Sequence, residues 1–477
     1  MLKSIVLRGG IIAMACSVSL IDARAADGDL DTSFGLDGIS RFGINDADPG
    51  PTGCRPTLDA EGRILTCGTR RMNGATGSDF FVARFDADGH IDPTFGNNGF
   101  ATIDFDGGTG GDQAAGMALD SSGRIVVAGS TRGAGLQSSD FAVARLSPDG
   151  TLDTTFGDVG KAIVAFDLDE GTGNDTVRAV AIGPDGSIIL AGSAETSKGC
   201  VVAVARLLVN GSRDPGFSES GRQTFVFDLV GVTDETDSAN GIAIDDAGRI
   251  IVAGTADASL PLDVAEFGVA RLLPGGELDE TFADGGRTTV GFDPGTGMSN
   301  ALALGVIIQR DGRIVVNGYA NTSPWANQNM DMAAARLLPD GTLDASFGTD
   351  GRITMGVDKE ADGFDAAIAA VERDDGRLVF VGTALGADTQ YGVAARFGSG
   401  GTVDPTFGDA GLKTYDFGFS APGTQAFTGT ALEDGRILIG GVAFVPPLGN
   451  PQPLDYFIVR LDEAAVDTDT IFAAGFE

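Results

Sequence analysis

The pattern Leu-Asp-x-x-Phe-Gly, with variants at one or two positions, occurs seven times, its aspartates falling at Asp31, Asp92, Asp153, Asp214, Asp279, Asp344 and Asp404. Spacings of 60 to 65 residues between successive copies define a repeat architecture before any local propensity is weighed. The second repeat, which contains the motif copy at Asp153, spells out one unit most clearly. Ala114–Leu119 is a small apolar strand (A), and Asp120-Ser121-Ser122-Gly123 is a turn. Arg124–Gly129 is strand B, Phe141–Leu146 is strand C, and Lys161–Asp167, after the motif, is strand D. Strand B is continuously apolar rather than alternating, which indicates burial on both faces. Radially stacked four-stranded sheets provide that environment.

Strand B recurs seven times, and so does strand C, whose arginine falls at 84, 145, 206, 271, 336, 396 and 460. After Arg460 no further motif and no strand D follow. The missing parts stand at the other end of the chain, as Leu30-Asp31-Thr32-Ser33-Phe34-Gly35 and then Ile39–Ile44. The N-terminal strand is therefore expected to complete the last sheet and so remove the open edge. The expected fold is all-β: a seven-bladed β-propeller of four-stranded antiparallel blades, spanning residues 26–462, with the ring closed by the N-terminal strand in the C-terminal blade.

The recurring run Asp-Gly-Arg-Ile-Val-Val-Ala-Gly, then Asp-Phe-Ala-Val-Ala-Arg-Leu, then Asp-Gly-Thr-Leu-Asp-Thr-Thr-Phe-Gly resembles the delta-60 repeat family, found in exported bacterial proteins. The resemblance covers about residues 28 to 462 and implies the repeat but no particular activity. Ser187 and Arg213 in the third repeat, and Gly275-Gly276 and Ala283 in the fourth, depart from the pattern, so altered turns are expected there.

Residues 1–25 read as a secretory signal. Lys3 and Arg8 precede an apolar stretch from Gly9 to Ile21, and Ala23-Arg24-Ala25 offers a cleavage site. The stretch is shorter than the roughly 20 residues a membrane-spanning helix needs. Export to the periplasm, cell surface or medium is expected, with no membrane span. The tail 463–477 ends Ile-Phe-x-x-Gly-Phe-Glu and resembles a short sorting or processing segment. Net charge is −35, and cleavage would make it more negative by removing three basic residues and one acid. Such a surface excludes non-specific nucleic-acid binding, which needs Lys and Arg against phosphate. A monomer is expected.

Cys54 and Cys67 flank the turn Asp59-Ala60-Glu61-Gly62. If Leu58 faces Arg63, the two cysteines face each other within disulfide reach. A register shifted by one leaves two buried thiols instead. Cys200 is left over as a free thiol.

Each strand C arginine stands almost alone among apolar residues and needs a carboxylate if buried; the motif aspartate of the same blade is the expected partner. Asp86-Ala-Asp88-Gly89 resembles part of a calcium loop but lacks its closing glutamate. It, and the sole histidine His90, read as turn residues. The A–B and C–D connections are nearly uniform, whereas the B–C loops differ greatly. One of them, Asn321 to Asp331, carries the only tryptophan, Trp325. The D–A loops are acidic.

Variable loops on a rigid frame are where binding is usually placed. The leading expectation is a binding scaffold for a protein, peptide or glycan through this face. Asp112, Asp175, Asp237 and Asp365 precede strand A in four repeats, near the expected channel mouth, either as a solvated acidic rim or as ligands of a divalent cation such as Ca2+. The alternative function is accordingly a divalent-metal-dependent hydrolase or lactonase at that mouth. No nucleotide-binding or nucleophile-elbow motif is present.

Overall fold

Short apolar runs separated by Gly- and Asp-bearing turns fold here as strands throughout. The structure is a computed structural model describing residues 28–43, 54–71, 77–107, 110–133, 138–168, 173–227, 235–258, 264–292, 300–322, 329–357, 363–386, 390–416, 425–431, 436–444 and 454–462. Trp325, the signal segment and the tail lie outside the described residues. Among the described residues there is no helix, and therefore none long and apolar enough to cross a membrane.

The strands follow one another as four-stranded antiparallel meanders. The first runs Thr57–Leu58, Ile64–Arg71, Ser78–Phe85, Phe100–Ile103. The second is Gly111–Leu119, Ile125–Arg132, Asp140–Leu146, Lys161–Val164, and the third Asp175–Ile182, Ile188–Thr196, Gly199–Leu207, Arg222–Phe225. Ser238–Ile244, Ile250–Ala258, Val264–Leu272 and Arg287–Val290 form the fourth. Ala301–Ile308, Ile314–Asn321, Met330–Leu337 and Arg352–Met355 form the next, and Asp365–Glu372, Leu378–Leu385, Gln390–Phe397 and Leu412–Tyr415 the one after. The C-terminal strands Gln425–Ala431, Ile437–Phe444 and Leu454–Leu461 take their fourth strand from the N-terminus: Ile39–Gly43 pairs antiparallel with Leu454–Leu461, Ile39 facing Val459.

Strand B is buried along almost its whole length, as in Ile125–Thr131, because its two faces pack into different clusters. Val127 joins a cluster with Leu65 and Phe80 of the preceding meander, while Val126 joins one with Leu190 and Ala203 of the following meander. Burial of this kind contributes about 25 cal/mol per Å2 of apolar surface, so the core lies between sheets as much as within them.

Strand D is shorter than expected, ending at Val164 rather than Asp167. The chain leaves the ladder there because the Phe166 N–H is taken by the Asp175 carboxylate (2.7 Å) instead of a strand carbonyl.

The A–B register also differs from expectation. Leu58 faces Ile64, not Arg63. Further along strand A, the ladders of the later meanders shift by one residue at a recurring bulge, for instance between Ala114 and Gly116. An extra residue on one strand puts two residues opposite one. Cys54 occupies the repeat position of the skipped Ala115 and its N–H donates to the Cys67 carbonyl (2.9 Å). The two are disulfide-bonded, with Cα atoms 4.9 Å apart. The bulge, and not the simple register, brings them together. Cys200 is free and half-buried.

The motif turn needs a left-handed residue after Phe. Gly157 has φ 51° there, and a Cβ on it would collide with the Lys161 carbonyl. In the departing repeats Ser218 (φ 38°) and Ala283 (φ 47°) adopt the same conformation. Those turns keep their shape and carry strain instead of being rebuilt.

All seven strand C arginines pair with a motif aspartate. Nε donates to Oδ2 at 2.8 Å for Arg84–Asp92 and 2.9 Å for Arg145–Asp153, and the N···O distance is 3.1 Å for Arg206–Asp214. It is 2.8 Å for both Arg271–Asp279 and Arg336–Asp344, 2.9 Å for Arg396–Asp404, and 2.7 Å between Arg460 and Asp31, from opposite ends of the chain. The guanidinium also reaches the next sheet: Arg84 donates to the Pro148 carbonyl, Arg145 to Val209, Arg336 to Ser399, and Arg460 to Ala87 of the first meander. Arg84, Arg145, Arg271, Arg336, Arg396 and Arg460 lie over the motif Phe ring, 4.7 Å from Phe156 for Arg145, a cation–π contact. That ring in turn fills the space above a turn glycine one sheet on. Phe95 packs against Gly150, Phe156 against Gly211, Phe407 against Gly28 and Phe34 against Gly89.

Candidate functional site

At the opposite ends of the strands, neighbouring sheets meet where one strand C starts and the next strand A starts. Ser78 is a parallel bridge partner of Gly111, and its N–H donates to the Gly110 carbonyl. The same stitch recurs as Asp175 N–H to Ser139 O, Asp237 N–H to Cys200 O and Met330 N–H to Gly363 O. It sets the first residues of strands C and A side by side at the root of the B–C and D–A loops.

The four sequence-selected aspartates sit at these junctions, but they form neither a solvated rim nor one common site. Asp112, Asp175, Asp237 and Asp365 are at most 1% exposed. Each accepts a main-chain N–H from the end of the preceding strand D: Phe105 on Asp112 (2.9 Å), Phe166 on Asp175, Phe227 on Asp237 and Val357 on Asp365 (2.6 Å). A carboxylate is the acceptor that lets the chain turn out of a strand while buried, since an unsatisfied N–H there costs about 1–3 kcal/mol. Among the described residues, only Asp112 belongs to a group of three acids within metal-ligand distance. Among the described residues, Asp175, Asp237 and Asp365 do not join Asp112 in that group.

The group that does form is Asp79, Asp104 and Asp112, whose nearest carboxylate oxygens all lie within 4.8 Å of one another. Asp79 opens strand C of the first meander beside Ser78. Asp104 ends its strand D, and Asp112 begins strand A of the second. Asp112 is satisfied by the Phe105 N–H and the Thr131 hydroxyl (2.5 Å). Asp104 caps its own turn, accepting the N–H groups of Asp106 and Gly107. Asp79 is 4% exposed and accepts no hydrogen bond from any described residue.

Burial pushes the Asp79 carboxyl up to about 6; the negative Asp104 and Asp106 add to this, against Arg70 and Lys161. Burial likewise lifts Asp112 to about 6, with Thr131 and the Phe105 N–H opposing and Asp106 and Asp79 reinforcing. At the next junction burial lifts Asp175 to about 7, partly offset by the Phe166 N–H and reinforced by Asp140 and Asp167. Between the two junctions lies a polar pocket of about 260 Å3, lined by residues that include Gln113, Arg132, Ser139 and Asn174.

Asp79 and Asp104 escape the sequence reading. Asp79 had a signal: an acid stands five residues before the strand C arginine at Asp79, Asp140, Glu266, Asp331 and Asp455. Asp104 had none. Asp86 Oδ1 accepts the Asp88 and His90 N–H groups, an ordinary turn.

These features define a β-propeller fold of repeated four-stranded units. Six segments, residues 60–95, 121–156, 183–217, 248–282, 309–347 and 373–407, match the family model described as "Domain of unknown function (DUF5122) beta-propeller". The chain is thus a β-propeller repeat protein. No curated protein sequence matches it. Solved structures similar to it include the polysaccharide lyase Uly1 (12% identity, 90% of this chain and 93% of that one, TM-score 0.49). A GH93 α-L-arabinofuranosidase of Fusarium graminearum shares 11% identity over 88% of this chain and 97% of its own, with TM-score 0.39. A Penicillium chrysogenum α-L-arabinanase shares 10% identity over 72% and 93%, with TM-score 0.41. Likeness at this level does not carry an activity from one protein to another.

Proposed function

We propose that this chain is an exported binding scaffold of the delta-60 repeat kind: a seven-bladed ring, closed by its N-terminal strand, that engages a protein, peptide or glycan through the face bearing the B–C and D–A loops. Removal of residues 1–25 on export and a monomeric state belong to the same reading, as does the tail 463–477 as a sorting or processing segment.

The observation that carries the reading is the state of the other face. Its repeated Arg, Asp and Phe side chains are committed to one another and to the adjoining sheet, from Arg84 on Pro148 round to Arg460 on Ala87, so they are spent on holding the ring. Closure is supported by the Ile39–Gly43 pairing with Leu454–Leu461 and by the cluster joining Phe34, Phe42 and Tyr456 to Ile64 and Phe81.

The test is retention of the purified protein on immobilised neutral polysaccharides and on cationic peptides. Wild type is compared with a variant whose residues 259–263 and 323–328 are replaced by Gly-Ser segments of equal length. Retention of wild type and its loss in the variant is expected. Equal retention of both, or none by wild type on any support, overturns the reading.

A further inference from the structure

We infer that Asp79, Asp104 and Asp112 form a binding site for one divalent cation of calcium size, at the junction of the first and second meanders. The inference goes beyond the scaffold reading and does not depend on any partner.

The first observation is geometric. Two oxygens on one Ca2+ ion, each about 2.3–2.6 Å from it, lie at most about 5 Å apart. The three carboxylates offer oxygens within 4.8 Å of one another. Mg2+, at about 2.1 Å in a rigid octahedron, draws its ligands to at most about 4.2 Å, so a calcium-sized ion suits the full span better.

The second observation is independent of the clustering. Asp79 is 4% exposed and aims its carboxylate into the group with no donor from the described residues. A buried carboxylate without donors is costly unless an opposite charge joins it. At the same repeat position elsewhere in the chain, Asp331 accepts from the Thr322 hydroxyl and from the Asn329 amide (3.0 Å), whereas Asp140, which has no donor among the described residues either, is only half-buried. Asp79 is buried and has no such donor.

Of the two nearby cations, Arg70 stands across the strand pair from Asp79 without a hydrogen bond to it, and Lys161 is engaged elsewhere. Lys161 donates its ammonium to the Asp104 main-chain carbonyl. Its repeat equivalents make the same bond, with Arg222 on Ala165, Arg287 on Val226 and Arg352 on Gly291. That contact is a feature of the fold, present whether or not the residue beneath it is acidic. Arg70 donates to the Thr102 hydroxyl (3.4 Å). The three acids come together only here among these junctions: the residues equivalent to Asp104 in the next five meanders are Ala165, Val226, Gly291, Gly356 and Asp416, and the meander of Asp416 carries Tyr391 at the position of Asp79. Three monodentate oxygens leave several positions on the ion for water or for oxygens of a bound ligand.

The experiment is calorimetric titration of the chelator-treated full chain with CaCl2 and separately with MgCl2, alongside thermal melts in each. The variants are Asp79→Asn, Asp104→Asn and, as a control outside the group, Asp175→Asn. Wild type and Asp175→Asn should take up one Ca2+, more tightly than Mg2+, and melt higher with it. Asp79→Asn should bind at least about tenfold more weakly while melting, without calcium, no lower than wild type, since Asp79 contributes no hydrogen bond. Absence of saturable Ca2+ binding by wild type overturns the proposal, as does unchanged binding in both Asp79→Asn and Asp104→Asn. A preference for Mg2+ overturns the calcium-size assignment.

Discussion

Replacing Asp31 by Asn tests the contact that joins the two ends of the chain. Burial pushes the Asp31 carboxyl up, but the Ser33 hydroxyl and N–H, Arg460 and Arg436 outweigh it and hold the carboxyl at about 2, against an ordinary 3.8. A gap of that size corresponds to about 2.4 kcal/mol of folding free energy at neutral pH. Because the Asp31 side chain is 12% exposed, solvent screening trims this to about 1.5–2 kcal/mol. Asn keeps an oxygen for both Ser33 bonds (3.0 and 2.5 Å) but turns an amide donor toward Arg460 and Arg436, so the substitution removes the charge together with the two hydrogen bonds it accepts from them.

The sign follows from the lowered carboxyl: its stabilisation is fully present above about pH 4 and is lost as pH falls through about 2. Hydrogen exchange of Ile39–Gly43, the strand paired with Leu454–Leu461, reads the opening directly. In the variant it should exchange roughly 10- to 30-fold faster at pH 7, at about 1.4 kcal/mol per factor of ten. The ratio should shrink toward one between pH 4 and pH 2. A ratio below about threefold at pH 7, or one that stays constant down to pH 2, would refute the reasoning.

Arg145→Met should cost about 3 kcal/mol by urea denaturation, because it strands the Asp153 carboxylate and removes the bond to the Val209 carbonyl. Adding Asp153→Asn should cost less than the sum of the two singles, and strict additivity would show that the pair does not act as one. Asp175→Asn should melt higher than wild type at pH 8, by a margin that shrinks steadily as pH falls toward 4. Burial holds that carboxyl at about 7, so wild-type stability declines as pH rises from about 4 through 7, whereas the amide stays neutral throughout; a wild type that is the more stable at pH 8 would contradict this. Ala283→Gly relieves a left-handed residue at φ 47° and should raise stability by about 0.5–1 kcal/mol. A loss on that substitution would mean the Ala methyl packs more than the backbone strains.

The repeated sheets were legible because their signals are local and periodic: apolar runs, Asp-Gly turns and an arginine that cannot be buried alone. The Arg145–Asp153 pairing could be read the same way, since both members recur in every unit. The bulge that carries Cys54 to Cys67 could not, because an inserted residue leaves no mark on a count of positions across a turn. The burial of Asp175, Asp237 and Asp365 was hidden for a related reason. An aspartate before a strand looks like a rim residue in sequence, and only the Phe166, Phe227 and Val357 N–H groups pointing at them reveal their work as buried acceptors.

By itself, then, the sequence determined the repeating unit, its strand order, the pairing of strand C arginine with motif aspartate, and the N-terminal origin of the last sheet's fourth strand. Each of these depends on residues close in sequence or on repetition. Tertiary structure alone decided which acids meet. Asp79, Asp104 and Asp112 come from three strands in two sheets, and their convergence depends on how one sheet seats against the next through the Ser78–Gly111 stitch. That seating is a property of packed surfaces, which no single repeat encodes.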